Sequence, residues 1–231
     1  MKIMTFNTQH CLNYVTRKID FEIMAKAITD LGADVVGLNE MRGGGSHPEF
    51  LEQVRILSEL TGLKYYFFAP AITLPEGLYG NGFLSRIPIL SAENIIIPDP
   101  VRDPGEDRYE TRCVIKARLE NGLCVLVSHF GLVKEEKINA VQTVVDNLGD
   151  ERTVFMGDLN LTPESPLLAP IREKMFDTAE LFAGERNSFP SDAPNKKIDY
   201  IFTSPDIKVL SADIPPVVAS DHRPYIAEIE M

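Results

Sequence analysis

Polar residues that can bind a cation or transfer a proton recur at one kind of position in this sequence, the ends of short apolar segments. Five of them are Asn7, Glu40, His129, Asp158 and His222. Because the ends of neighbouring strands meet at one edge of a sheet, we expect these side chains to converge. Carboxylates and imidazoles brought together form an oxygen-rich site for a divalent cation, with acid and base groups beside it. The sequence therefore predicts cation-assisted acid–base chemistry.

The strongest local signals lie around two acids. In residues 154–160 an apolar strand ends at a glycine and presents Asp158 and Asn160 two positions apart, so both point the same way. Asp199 lies in an apolar segment and must be paired if it is buried, with His222 as the obvious partner. A turn cap and a structural ion pair are the alternative interpretations, and the agreement among the motifs favours catalysis.

The apolar periodicity predicts alternating helices and strands in the first third and mainly strands afterwards. The predicted helices are 21–31, 48–60 and 134–148, and the predicted strands are 2–7, 34–39, 64–69, 82–85, 89–97, 111–119, 123–129, 153–156, 198–202 and 225–229. The four strands from 82 to 129 predict an antiparallel meander. This order fits two sheets packed face to face with helices outside each. Long loops are predicted at 70–80, 98–107 and 184–197.

Length and charge limit the possible functions. A chain of 231 residues supports one hydrophobic core, so we expect one domain over residues 1–231. The formal charge of −11 disfavours an extended footprint on nucleic acid or anionic membranes, although a bound cation reverses the sign locally. Three cysteines are too few for a disulfide framework. With no signal peptide or membrane-length apolar run, we expect a cytoplasmic protein without stable membrane insertion.

Several short motifs follow one another along almost the whole chain. In order they are Asn7, Leu38-Asn39-Glu40, Gly80-Asn81-Gly82-Phe83-Leu84-Ser85-Arg86, Glu110-Thr111-Arg112, Ser128-His129-Phe130, Gly157-Asp158-Leu159-Asn160, Asp199 and Ser220-Asp221-His222-Arg223-Pro224. Each motif alone is a weak signal, but their ordered co-occurrence is specific. The chain thereby resembles the endonuclease/exonuclease/phosphatase family, which has the deoxyribonuclease-I-like fold.

The resemblance implies both a fold and a reaction. The implied fold class is α/β, a four-layer sandwich in which two mixed, mainly antiparallel sheets pack face to face with helices outside. The implied reaction is hydrolysis of a phosphodiester or phosphomonoester by metal-assisted attack of water, with Mg²⁺ or Mn²⁺ as the cofactor. The metal ligands it implies are Glu40, as the main one, with Asn7 and Asp221 nearby.

The same resemblance implies catalytic roles. Asp158 would orient or deprotonate the attacking water, and Asp199 would hold His222 against the scissile phosphate. His129 and Asn160 would stabilise charge on the phosphoryl oxygens. General chemistry agrees, because phosphoryl transfer depends mainly on positioning and on cancelling developing charge. The residues expected to bind substrate are Arg112 and Asn81.

Two positions depart from the family pattern, and two assignments have simpler alternatives. Gln9 stands where the repair-endonuclease branch has a carboxylate, which takes one charge from the metal site. Asn39 stands where the family commonly has Gln, a change in the hydrogen bonding beside Glu40. Arg112 would equally pair with an acidic neighbour, and Asn81 would equally serve a turn.

Three functions fit these motifs. The first is hydrolysis of a small or lipid-like phosphoester, which the acidic composition favours. The second is an endonuclease or exonuclease acting on DNA or RNA, since such relatives share the same catalytic residues. The third, a non-catalytic metal-binding module, is disfavoured because the acids and histidines are retained. No protein partner is implied. The basic residues expected to form a small positive rim are Arg86, Arg102, Arg108, Lys196 and Lys197.

Overall fold

The computed structural model describes residues 1–101, 109–149, 151–182, 184 and 186–230. Within these ranges the helices and strands follow one another as β1 (Lys2–Asn7), α1 (Phe21–Leu31), β2 (Val35–Gly43), α2 (Gln53–Thr61), β3 (Tyr65–Leu74), β4 (Gly77–Ser85), β5 (Ile89–Ile96), β6 (Cys113–Leu119), β7 (Cys124–His129), α3 (Lys134–Asn147), β8 (Thr153–Asp158), α4 (Ala169–Arg172), β9 (Phe176–Asp177), β10 (Asp199–Thr203), β11 (Lys208–Asp213) and β12 (Tyr225–Glu230). No helix of the described ranges is long and apolar enough to cross a membrane.

The strands pair into two six-stranded sheets. The first sheet has the order β11-β12-β1-β2-β4-β3, and the second has the order β5-β6-β7-β8-β10-β9. Each sheet contains one parallel pair, β1 with β2 and β7 with β8, and the other pairs are antiparallel. Both sheets are therefore mixed and mainly antiparallel, as the sequence predicts.

Apolar clusters fill the spaces between four layers. One cluster lies between the two sheets and includes Val35 from the first and Val127 from the second. A second cluster joins α1 and α2 to the outer face of the first sheet, with Met24 and Leu38 as fully buried members. A third joins α3 and α4 to the outer face of the second sheet, where Val144 is buried. The predicted four-layer α/β sandwich is confirmed.

Helix α1 shows why local sequence suffices for some elements. The Asp20 side chain caps its first turn by accepting a hydrogen bond from the Ile23 amide at 3.1 Å. The helix ends at Gly32, whose φ of 69° lies in the left-handed region that closes helices at little cost for glycine. Cap, apolar periodicity and terminator all agree, and the predicted bounds 21–31 are those observed.

The predicted loop at 70–80 is wrong, because these residues form the paired ends of β3 and β4. Leu74 pairs with Gly77, which leaves only a tight turn between the strands. Pro70 is tolerated at a register shift, where ladder pairing is already interrupted. Position 80 must be a glycine, because a Cβ atom there would lie 2.0 Å from the carbonyl oxygen of Ala69. Proline and glycine ordinarily indicate a loop in a sequence. In this structure Pro70 and Gly80 instead lie at an irregularity within a hairpin.

Two other predicted elements need correction. The predicted helix 48–60 is a short 3₁₀ turn, Pro48–Phe50, followed by α2, because extended backbone at Leu51 (ψ 163°) interrupts the helix. The predicted meander from 82 to 129 is split between the sheets, since β4 pairs with β2 and β3 while β5 begins the second sheet. Alternation of apolar residues shows which side chains are buried but not which strand lies next to which.

The other two predicted loops, 98–107 and 184–197, each include residues outside the described ranges. These are residues 102–107 of the first loop and residue 185 of the second. The latter segment remains a connection, and an isolated bridge joins Phe189 to Lys196 within it.

Gly157 provides a test of how closely β7 and β8 must approach. Its φ is +149°, and a Cβ atom there would lie 1.8 Å from the carbonyl oxygen of Ser128. We expect Gly157→Ala to lower the free energy of unfolding by at least about 3 kcal/mol, from backbone strain and steric overlap together. Urea denaturation measures this. The matched control is Gly184→Ala, where a Cβ meets nothing and the change should stay within about 0.5 kcal/mol. Equal stability of the two variants would contradict the argument.

Candidate active site

Strand pairing places three of the predicted residues side by side in the second sheet. His129 ends β7 and lies opposite Asp158 at the end of β8, and Asp158 lies opposite Asp199 at the start of β10. In the first sheet, Asn7 at the end of β1 pairs with Asn39, which lies in the middle of β2 at the register shift of that strand. The two sheets thus bring these polar residues together at one edge of the sandwich.

Asp158 lies at the centre of this group and is 2% exposed. Its Oδ2 accepts a hydrogen bond from Asn7 Nδ2 at 3.1 Å, and its Oδ1 accepts one from the amide of Asn160 at 3.0 Å. Nε2 atoms of His129 and His222 lie 3.5 and 3.6 Å from Oδ2. Burial raises the pKa of Asp158 above its ordinary value, although the charge of His222 partly offsets this.

The predicted pairing of Asp199 with His222 is present in the structure. His222 Nδ1 donates to Asp199 Oδ2 at 2.8 Å, and Ser188 Oγ donates to the same oxygen at 2.5 Å. Burial alone would lower the pKa of His222, but the carboxylates of Asp199 and Asp158 outweigh it and raise the pKa well above its ordinary value. The imidazolium of His222 therefore lies between two buried carboxylates.

Glu40 is aimed at the same region by an irregularity in β2. The register of β2 with β4 shifts between Leu38 and Met41, and Glu40 has a left-handed φ of 60°. A bulge of this kind turns a side chain out of the ladder. Glu40 Oε1 accepts a hydrogen bond from Asn7 Nδ2 at 3.0 Å, and burial raises the pKa of Glu40.

The amide of Asn7 connects the two carboxylates. Its Oδ1 accepts a hydrogen bond from the backbone amide of Gln9 at 3.0 Å. This contact directs Nδ2 toward Glu40 and Asp158. In this orientation Asn7 is a donor to both acids, whereas the sequence predicts it as a metal ligand.

Asn39 and Asn81 form a buried amide chain between the sheets. Asn39 Nδ2 donates to Asn81 Oδ1 at 2.8 Å and to the Ser128 carbonyl at 3.1 Å, while its Oδ1 accepts the Asp158 amide at 2.9 Å. Asn81 Nδ2 donates to the Cys113 carbonyl at 3.0 Å, and Asn81 is 3% exposed. The structure places Asn81 behind the site, whereas the sequence predicts that it contacts substrate.

Arg112 fixes the state of His129. Its Nη1 lies 3.0 Å from His129 Nδ1, and its Nη2 is ion-paired with Glu110. Because a guanidinium is always a donor, His129 Nδ1 must accept, and the ring proton of the neutral imidazole lies on Nε2. Burial, followed by the charge of Arg112, lowers the pKa of His129 well below its ordinary value. Asn160 Nδ2 then donates to the Phe130 carbonyl at 3.1 Å.

These groups open onto a cleft of about 590 Å³. The predicted residues that line it are Glu40, Arg112, His129, Asp158, Asn160, Asp221 and His222. The cleft also contains Tyr79, Lys137 on α3 and the largely exposed Leu132. Lys137 was missed from sequence because a lysine on a helix ordinarily faces solvent. Its pKa is lowered by burial, and the charge of Asp158 acts in the opposite direction.

The donors in this cleft fit a divalent cation. Glu40, Asp158 and Asp221 supply carboxylate oxygens, which Mg²⁺ and Mn²⁺ prefer. The buried Nδ1 of His10 lies 4.0 Å from Glu40 Oε2 and has no hydrogen-bond partner. Asp158, Asp199 and His222 also present ligand atoms within 4.8 Å of one another. We favour the Glu40 side, because Asp199 and His222 already bind each other.

Comparison with known proteins identifies the family. The family model described as Endonuclease/Exonuclease/phosphatase family matches residues 4–222. The chain belongs to the endonuclease/exonuclease/phosphatase family. Members of this family are generally hydrolases of phosphate esters. The chain is also similar to the YbhP protein of Escherichia coli K12, at 26% identity over 257 residues that cover 100% of this chain and 96% of YbhP.

Solved structures of the endonuclease/exonuclease/phosphatase family share the fold. One is a family member from Beutenbergia cavernae DSM 12333, with a TM-score of 0.77 at 21% identity, covering 100% of this chain and 71% of that one. Another is a mannosyl-6-phosphatase of Bacteroides thetaiotaomicron VPI-5482, with a TM-score of 0.74 at 15% identity and 100% of both chains covered. The family's sandwich is thus matched over the whole chain.

The basic rim predicted for this family member is only partly in place. Arg86 pairs with Asp34 at 2.9 Å, just before β2 begins, and is not among the described residues that line the cleft. Lys197 is buried, with its Nζ 3.2 Å from the centroid of the Tyr200 ring. Lys196 does line the cleft. The other two predicted members, Arg102 and Arg108, lie outside the described residues.

The hydrogen-bond partners predict opposite protonation states for the two histidines of the cleft. In metal-free protein at pH 7, we expect His222 to carry protons on both ring nitrogens and His129 to be neutral, with its proton on Nε2. The raised pKa keeps His222 charged as the pH rises through 7, and the lowered pKa keeps His129 neutral as the pH falls through 7. Nitrogen-15 NMR of the imidazoles distinguishes these states.

The Asp199→Asn variant is the control for this measurement. Removing the Asp199 carboxylate should lower the pKa of His222, because its largest stabilising charge is lost. A neutral His222 or a cationic His129 in the wild-type protein at pH 7 would contradict the proposed geometry.

Proposed function

We propose that this chain is a Mg²⁺- or Mn²⁺-dependent phosphoesterase that hydrolyses a phosphodiester or phosphomonoester by attack of water. The observation that carries the proposal is that four carboxylates and two imidazoles line one cleft, with one imidazole beside Arg112 and the other between two buried carboxylates. Phosphoryl transfer needs a held cation, an oriented water and donors for the phosphoryl oxygens. The cleft offers a group for each task.

Glu40 is the proposed main ligand of the cation, with Asp221 nearby. When bound, Mg²⁺ or Mn²⁺ would polarise a phosphoryl oxygen and offset its negative charge. Asn7 holds the carboxylates of Glu40 and Asp158 at a fixed separation through one amide. We therefore propose that Asn7 acts by positioning these acids, in place of direct ligation.

Asp158 is the proposed base for the attacking water. Burial raises its pKa, so its carboxylate is a stronger base than an exposed aspartate while still ionisable near neutral pH. His222, held by Asp199, donates from Nε2 to a phosphoryl oxygen. Its charge is maintained by the two buried carboxylates beside it.

The remaining polar groups stabilise the phosphoryl oxygens. Neutral His129 donates from Nε2, because Arg112 occupies Nδ1. Asn160 adds an amide at the same side of the cleft. We propose that Arg112 serves mainly to orient His129, and that Asn81 supports Asn39 from behind the site. Neither role requires direct contact with substrate.

The alternatives from sequence are less well supported. A nuclease would use the same groups, but a chain of charge −11 offers little for tracking a nucleic-acid backbone. A metal-binding module without activity would have no need for two imidazoles with opposite protonation. The similar mannosyl-6-phosphatase is a phosphatase by name, which agrees with a small phosphoester as substrate. A cytoplasmic location stays a prediction.

Glu40→Gln tests the metal assignment. We expect it to weaken Mn²⁺ binding by at least about tenfold, because one ligand charge is lost, and to leave the urea midpoint nearly unchanged. Isothermal titration calorimetry measures the affinity. Glu93→Gln, an exposed acid on β5, is the matched control and should bind Mn²⁺ as wild type does. Unchanged affinity in Glu40→Gln would refute the assignment.

Asp158→Asn and His222→Ala test the acid–base assignment. Each should lower kcat for a chromogenic phosphate ester, such as 4-nitrophenyl phosphate or its bis-ester, by about 10² or more. Asp213→Asn, on the edge strand β11, should leave kcat unaltered. Turnover close to wild type in either of the first two variants would rule out the proposed roles, provided circular dichroism shows both folded.

A further inference from the structure

A second cleft adjoins the one that contains the proposed catalytic residues. Its volume is about 640 Å³, and it shares Thr162 and Lys196 with the first. It is bounded by the segment after β8, the end of α4, the region around β9 and the segment before β10. A group esterified to a phosphorus in the first cleft can therefore extend into the second without leaving the protein surface.

Most of the side chains that line the second cleft carry a polar or charged group. Only Pro163, Ala179 and Gly184, of the thirteen residues that line it, lack a polar side chain. Apolar ligand groups are bound by apolar walls, because burial of their surface is what stabilises them. The lining thus offers hydrogen-bond and charge partners, which favours a hydrophilic substituent over an acyl chain and bears on the two substrate classes left open by the sequence, the small and the lipid-like.

The charge of this cleft is opposite to that of the whole chain. The chain carries a formal charge of −11, but the cleft has four cationic side chains against three carboxylates. The carboxylate of Asp177 is already paired with Arg172 at 3.2 Å, and it also accepts the backbone amide of Ala179 at 3.1 Å. Among the described residues, the lining of this cleft therefore has a small positive excess on a chain that is acidic overall.

Lys196 lies at the junction of the two clefts. It is exposed, and its ammonium makes no ion pair within the described part of the chain. Its Nζ lies 5.9 Å from the centroid of the Phe189 ring, and the His222 ring also contacts Phe189, at a centroid distance of 4.9 Å. One aromatic ring thus separates this unpaired cation from the imidazole proposed to bind the scissile phosphate.

We infer that the second cleft binds the organic part of the substrate, and that this part is hydrophilic and carries a second anionic group, such as a second phosphate, that pairs with Lys196. This inference rests on the proposed function and adds the substrate class to it. Lys196 would act on affinity for the distant anion, since no reacting atom needs to touch it. Sugar bisphosphates and nucleoside bisphosphates have this chemistry.

Binding of matched ligand pairs tests the inference independently of turnover. The pairs are fructose 1,6-bisphosphate with fructose 6-phosphate, and adenosine 3′,5′-bisphosphate with adenosine 5′-monophosphate. We measure affinities by isothermal titration calorimetry with Mg²⁺ and again with EDTA. In at least one pair and one condition the bisphosphate should bind about tenfold more tightly, as expected for an added charge-assisted contact.

Variants of Lys196 test whether this residue causes the preference for the bisphosphate. Lys196→Ala should remove most of the preference for the bisphosphate while leaving the affinity for the monophosphate within about twofold, and Lys196→Arg should retain the preference. Lys208→Ala, which removes an exposed lysine paired with Glu230 on the far edge strand, is the matched control. It should bind all four ligands as wild type does.

The outcomes separate this inference from the proposed function. Equal affinity within both pairs, or no measurable binding of any ligand, overturns the inference. An equal loss of affinity for the bisphosphate and the monophosphate in Lys196→Ala also overturns it, because Lys196 would then bind only the scissile phosphate. Bisphosphate preference without metal-dependent hydrolysis of any phosphate ester would leave the subsite in place and reject the proposed function.

Discussion

Two buried carboxylates face each other across neighbouring strands, and the rest of the site depends on how their repulsion is relieved. Asp158 and Asp199 are directly opposite in the pairing of β8 with β10, and both are almost fully buried. Like charges at such positions destabilise a sheet, and buried ions are costly unless paired. His222 lies between them and carries a charge because of them. The arrangement that allows two carboxylates to be buried side by side therefore also holds a cationic hydrogen-bond donor, the imidazolium of His222, beside the basic carboxylate of Asp158.

This constraint links the site to the core. The Asp158 carboxylate also accepts a hydrogen bond from the side-chain amide of Asn7 in the first sheet. The backbone amide of Asp158 donates to the side-chain oxygen of Asn39. Both contacts cross the interface between the sheets, so the packing of the sandwich sets the position of Asp158 relative to Glu40. Gly157 allows β8 to approach β7 closely enough for the alignment with His129. The residues that do chemistry and those that join the sheets are thus largely the same set.

The sequence predicts those parts of the site that are encoded locally. Asp199 within an apolar strand requires a partner, and this requirement points to His222 without knowledge of the fold. It does not show that Glu40 lies in a bulge with a left-handed φ, because bulges depend on pairing with a strand distant in sequence. It also misses Lys137, and it does not show that Lys196 joins two clefts, since both depend on tertiary packing. Pairing between strands distant in sequence also decides the sheet to which β4 belongs. The edge strand β11 shows no regular apolar alternation, because its register shifts between Val209 and Ser211.

The most direct test of the central claim is the position of a bound metal. A crystal of the protein soaked in Mn²⁺ and measured by anomalous diffraction should show a peak within about 2.5 Å of a Glu40 carboxylate oxygen, on the side of the cleft shared with Asp158 and Asp221. A peak confined to the Asp158–Asp199–His222 cluster and remote from Glu40, or no peak in the cleft, would contradict the account.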